Sequence, residues 1–153
     1  MAAADDGLAK AVGEKGKVAD VIHDQTTATG IGRRDGFLYR IKKAYPNIEV
    51  VDLHYPADRL KGADNSKAML QVNSNMVAIF ASNEGSAIGL AVSLKESGFT
   101  VAGVGFDSCK AQKDAILDAT PIGAVTLNPV GIGGYDWVAM RLKSGKIVEV
   151  LPV

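Results

Sequence analysis

The sequence has one cysteine, Cys109, and two histidines in 153 residues. A single thiol excludes an intramolecular disulfide. His23 and His54 show no His-x-x-x-His or Cys–His spacing, so no metal-ligand signature exists. The chain also lacks excess charge of either sign. Its 17 basic and 17 acidic residues cancel, which leaves no field to attract nucleic acid or an anionic membrane. No apolar run approaches the roughly 18 residues of a membrane span. The start, "MAAADDG", has neither a basic end nor a hydrophobic stretch, so it does not read as a signal peptide. There is no internal repeat, low-complexity segment or linker. What is present is ordinary for a soluble globule: 47% apolar and 22% charged residues. The length suggests a single domain, residues 1–153. Such a chain buries roughly 68–70% of its unfolded surface and needs no metal to fold.

Five short apolar runs are strand candidates: Val18 to His23, Ile48 to Leu53, Met76 to Ala81, Val101 to Phe106, and Ile122 to Leu127. Most are continuously apolar rather than alternating, the mark of strands covered on both faces. Helical spacing lies between them. Asp5 to Val12 reads as a leading helix. Phe37, Ile41 and Tyr45 repeat every four residues; Ala68, Met69 and Val72 follow, then Ile88, Leu90, Ala91 and Leu94, then Ala111, Ala115 and Ile116. Gly98 suits the position just past a helix end. The alternation predicts a three-layer α/β domain with a mainly parallel sheet of five or six strands. The topology is Rossmann-like or flavodoxin-like, with strand order 2-1-3-4-5 and any last strand at the edge beside the fifth. The tail "GYDWVAMRLKSGKIVEVLPV" fits a helix from Asp136 to Lys143 and a strand from Ile147 to Leu151. It also fits a hairpin turning at Ser144-Gly145. The helix is preferred because it continues the alternation.

Asp20 is an anomaly inside the first strand. A buried carboxylate costs several kcal/mol or takes up a proton. The plainer expectation is a position near the strand end or at a helix N-terminus; a functional role is the alternative. A second polar joint, Ser82-Asn83-Glu84, follows the third strand. Ser82 or Asn83 suits a helix N-cap and Glu84 suits the positive end of the helix dipole. Position gives a second reading. Ligands of open α/β sheets bind outside the carboxyl ends of the strands. Polar groups collect at those ends: "HDQTTATGIGRRDGF" after the first strand, Asn83 after the third, Asp107 after the fourth and Asn128 after the fifth. Amide, carboxylate and guanidinium together donate and accept, a mix that suits a neutral polyhydroxyl ligand. Cys109 lies near a helix start, where a thiol can have a lowered pKa. It reads better as a small packing or surface residue.

Four stretches, "KVADVIHDQTTATGIGRRDGF", "IFASNEGSAIGLAVSLKESG", "VGFDSCKAQKDAI" and "GAVTLNPVGIG", together resemble the carboxy-terminal lobe of type I periplasmic sugar-binding proteins, the ribose-binding and LacI-like group. The resemblance runs from about Asp5 to Gly133, in order and in register. It implies that Arg33, Asn83 and Asp107 contact a monosaccharide, with no catalysis and no cofactor. It further implies a periplasmic location and partnership with an ABC permease. Three departures stand out. Leu127 occupies the place of a glutamine that touches ligand and hinge, and Asp20 that of an apolar residue. The lobe that should precede this one is absent, so the chain reads as one excised or engineered lobe with weakened or lost binding. Self-association is then expected, through the face around Leu127 to Ile132. The alternative is a flavodoxin-like domain, because "DQTTATGIGRR" also resembles a phosphate loop for FMN. That reading lacks aromatics placed to sandwich a flavin, and the chain has no G-x-G-x-x-G fingerprint.

Overall fold

A computed structural model describes residues 2–55, 62–107, 109–118, 120, 122–125, 138–143 and 146–152. In chain order the elements are α1 (Ala2–Ala11), β1 (Gly16–Val21), α2 (Ala28–Ala44), β2 (Ile48–His54), α3 (Gly62–Val72), β3 (Met76–Ala81), α4 (Glu84–Ser97), β4 (Ala102–Phe106), α5 (Lys110–Leu117), β5 (Ile122–Val125), β6 (Val138–Lys143) and β7 (Lys146–Pro152). The first five strands form one sheet in the order β2-β1-β3-β4-β5, and its paired strands all run parallel. This is the predicted order.

The continuous apolar strands have the predicted cause. In β3, Ala78 and Phe80 face one core while Ile79 and Ala81 face another. The first core holds Leu8 of α1, Phe37 and Ile41 of α2, and Tyr45 at the C-cap of α2. The second holds Met69 and Leu70 of α3, Leu90 and Leu94 of α4, and Ile116 of α5. Two helices therefore cover one face of the sheet and three the other. Phe37 stacks on Phe80 with ring centroids 5.3 Å apart. This pins α2 over the centre of the sheet and fixes the direction in which its first turns project. Helix α4 ends at Gly98, whose φ of 67° is the left-handed conformation that glycine adopts without a Cβ penalty. Among the described residues no helix is long and apolar enough to cross a membrane.

Two expectations are corrected. The tail is not a helix followed by a strand; β6 and β7 pair antiparallel, with Leu142 opposite Ile147. They form their own sheet rather than a sixth strand beside β5. The period-two pattern Val138, Met140, Leu142 and the β-branched run Ile147, Val148, Val150 outweigh the helix formers among them. The proposed turn at Ser144-Gly145 lies outside the described residues, as do Leu127, Asn128 and the stretch to Ile132 invoked for self-association. The second correction concerns α2. It starts at Ala28, well before the Phe37 repeat, so much of the segment read as a loop is helix. Gly30, Gly32 and Gly36 weaken the propensity that would have revealed it.

Asp20 is the next-to-last residue of β1, paired with Leu53 and Phe80, and it is fully buried. Its neighbour is Asp5 in the first turn of α1, also buried. None of the four carboxylate oxygens has a hydrogen-bond partner among the described residues.

Candidate functional site

The carboxyl ends of β1, β3 and β4 lie side by side because those strands are neighbours in the sheet. The segments that leave them carry His23-Asp24, Ser82-Asn83 and Asp107. Each carries a side chain that accepts from backbone N–H groups at or just before the start of a helix.

After β1, Asp24 folds back on its own chain. One carboxylate oxygen accepts from the Thr26 N–H at 2.5 Å, the Thr26 hydroxyl at 2.8 Å and the Thr27 N–H at 2.9 Å. These bonds hold Asp24 below its ordinary pKa, the backbone bond from Thr26 first among them. Thr27 then caps α2 by accepting from the Gly30 N–H. Gly30 must be glycine: a Cβ there would lie 2.0 Å from the Asp24 carbonyl oxygen. This loop already holds its own anion on the donors that a phosphate would need. It does not suit the FMN phosphate of the flavodoxin-like alternative.

The cap at β3 is as the residue types suggested. Asn83 has extended backbone and its side-chain oxygen accepts from the Ser86 N–H at 2.9 Å. The same amide group keeps its NH2 donors for other work. Asp107, after β4, reaches across to the same helix end and accepts from the Glu84 N–H at 3.1 Å. Its φ of 73° is unusual for a non-glycine residue, and aspartate is among the types that tolerate it. Two side chains from two strand ends therefore share the N-terminus of α4.

Arg33 closes the group from α2. Its Nη1 donates to the Ser82 carbonyl, and its guanidinium carbon stands 4.0 Å from the centroid of the Phe106 ring. The aromatic face attracts the cation and holds it over the ring. Burial draws the Arg33 pKa below its ordinary value, and the charge of Asp107 opposes that. Arg33, Asn83 and Asp107 come from three separate segments and meet at one edge, tied through Ser82 and Glu84. Together they offer a planar cation, an amide donor and a carboxylate acceptor. Ser82 and Phe106 belong to the same edge and were not foreseen as parts of it; His23 stood there at the head of the quoted "HDQTTATGIGRRDGF" but was given no role. The signal for Ser82 was its place in the joint after β3, read only as a cap. Phe106 stood in the quoted "GFD". Cys109 takes the N-cap position of α5 without a side-chain capping bond. Among the described residues no group of three His, Cys, Asp or Glu residues could hold a metal ion.

In open parallel α/β sheets the carboxyl edge, where these polar groups collect, is the place where ligands bind. The chain belongs to the periplasmic binding protein domain family, whose family model matches residues 2–146. It is 31% identical over 141 residues to the D-allose-binding periplasmic protein of Escherichia coli strain K12, covering 90% of this chain and 45% of that one. It is 27% identical over 153 residues to the ribose import binding protein of the same strain, covering 98% of this chain and 51% of that one. Among solved structures, a carbohydrate transporter solute-binding protein from Agrobacterium radiobacter in complex with D-arabinose superposes with a TM-score of 0.78 at 28% identity, covering 84% of this chain and 46% of that one. The chain thus spans about half the length of the curated relatives it matches. These relatives are named as binding proteins, not enzymes.

Proposed function

We propose that this domain supplies one wall of a monosaccharide site that serves ABC-type import or chemotaxis from the periplasm. Arg33, Asn83 and Asp107 read the sugar hydroxyls, and a facing surface completes the enclosure. The observation that carries this reading is the meeting of those three side chains at one sheet edge, with donors and acceptors combined. A neutral sugar ring needs both signs of hydrogen bond, and the buried Phe106 serves by holding Arg33 over its ring. The relatives named for D-allose and ribose support a pentose or hexose as the ligand class. No bond to the sugar is made or broken, and no cofactor takes part. An ABC permease is the partner of the assembled binding protein.

The chain as it stands binds weakly in this reading. A net hydrogen bond in water is worth about 0.5–1.5 kcal/mol. Three of them barely offset the cost of immobilising a ligand. Leu127, where the family carries glutamine, offers no polar partner. Dissociation constants are therefore expected at millimolar or weaker. Calorimetry against a panel of pentoses and hexoses, with FMN included, tests this. Heat from sugars only at millimolar concentrations and none from FMN supports it. Micromolar sugar binding shows that something encloses the ligand, most simply a second copy of the domain. Binding of FMN in place of sugars sinks the reading.

A further inference from the structure

Ser82 is fully buried directly after β3, and its polar atoms have different partners. Its N–H donates to the Val21 carbonyl at 3.0 Å. Its hydroxyl donates to the same carbonyl at 3.2 Å. The hydroxyl oxygen accepts from the His23 N–H at 3.2 Å and lies 3.3 Å from His23 Nδ1. Its carbonyl accepts from Arg33 Nη1. A serine hydroxyl has one proton to give and two lone pairs to fill. With the proton on the Val21 carbonyl and one lone pair on the His23 N–H, the remaining lone pair faces His23 Nδ1. That nitrogen must then carry a hydrogen.

We propose that Ser82 is the positioning residue of the sugar-facing edge: it locks His23 in its Nδ1–H form and, through its carbonyl, holds Arg33 over Phe106. The proposal deepens the sugar-binding reading and rests on it for its purpose, but its geometry stands without a ligand. The hydroxyl joins the ends of β1 and β3, so the Ser82 carbonyl has a fixed direction, and Arg33 inherits that direction. A small apolar residue in place of Ser82 leaves the His23 N–H and ring without their acceptor, and the backbone bond to Val21 alone then orients the carbonyl.

The test is nitrogen-15 NMR on the whole chain at pH 7.5. A His54→Gln variant leaves a single imidazole, so assignment needs no further labelling. The expected pattern is a ring protonated at Nδ1, together with a slowly exchanging, well-dispersed Arg33 side-chain resonance. In Ser82→Ala the imidazole should move to the commoner Nε2–H form and the Arg33 exchange rate should rise about tenfold. Ser82→Thr, which keeps the hydroxyl, should restore both signatures. An Nε2–H ring in the unmodified edge overturns the proposal, even if Ser82→Ala does not fold. So does a folded Ser82→Ala protein with both signatures unchanged. Because neither signature needs sugar, a confirmed tautomer with no sugar response would sink the sugar reading and leave this one standing.

Discussion

Asp20 and His23 lie three residues apart on one segment, yet they belong to opposite kinds of polar environment. Asp20 points into the core between α1 and the sheet, where its carboxylate and that of Asp5 have no hydrogen-bond partner among the described residues. His23 stands just past the strand, where Ser82, Arg33, Asn83 and Asp107 are tied to backbone groups. The amino terminus and Arg40 both draw the Asp5 pKa down, but burial outweighs them. Arg40 gives both of its forked bonds to Asp6, at 2.9 Å each, and the Tyr45 hydroxyl donates to Asp6 as well. From β3 the residue facing the pair is the apolar Phe80. At the edge, polar groups are satisfied by the fold and retain capacity for a ligand. In the core, the same chemistry is stabilised only by a proton. The inner pair should therefore govern pH-dependent stability, and the edge should govern recognition, with little crossover.

The largest expected effect separates the two regions by pH. Burial pushes Asp5 up to about 7, and burial together with Asp5 pushes Asp20 well above the carboxylate range. A carboxyl whose folded pKa is raised binds more protons in the folded state. Its stabilising contribution is complete below the unfolded pKa near 4 and is lost as pH rises through the folded value. Urea unfolding should thus show stability falling between about pH 4 and 8, by up to about 4 kcal/mol from Asp5 alone at 1.36 kcal/mol per pKa unit. Asp20→Asn should flatten that slope and leave the edge signatures untouched. A flat profile in the unmodified chain would break the comparison.

Next in size is the cap. Asn83→Ala should cost about 1 kcal/mol, because the Ser86 N–H loses its acceptor. Asn83→Asp keeps the acceptor, and with it the stability, but removes the NH2 donors. Sugar response lost in both variants, with stability lost only in the first, separates the capping role from the recognition role. Denaturant midpoints and a sugar titration measure the two.

Asp107 should give the smallest change in stability. Asp107→Gly relieves a positive φ, worth up to about 1 kcal/mol, and loses the bond from the Glu84 N–H, worth about the same. The melting temperature should hardly move, while sugar response disappears. A clear stabilisation would mean that the Glu84 bond contributes little.

The parallel sheet was legible because burial on both faces leaves continuous apolar runs, and these alternate with helical patterns; the order 2-1-3-4-5 follows from the doubly wound topology that this alternation implies. The Asn83 cap was legible for a local reason: side chain and backbone partner are three residues apart. The start of α2 was hidden by its glycines and threonines, of which Gly30 is required by the Asp24 carbonyl, a contact that only the folded turn reveals. The hairpin of β6 and β7 was obscured by Ala139, Met140, Leu142 and Lys143, all competent helix formers. Asp20 declared itself as an oddity, but its pairing with Asp5 is tertiary and has no sequence spacing. Arg33 and Asp107 entered as sugar contacts through family resemblance. Their link through Ser82 and the platform of Phe106 came only with three dimensions.

The central claim is that the carboxyl edge is a sugar-reading wall, and NMR titration of the chain with D-ribose and D-allose tests it most directly. The expected result is shift changes confined to the Arg33 side chain, Asn83, Asp107 and their immediate neighbours, with a dissociation constant in the millimolar range. Shifts centred elsewhere on the domain would contradict it.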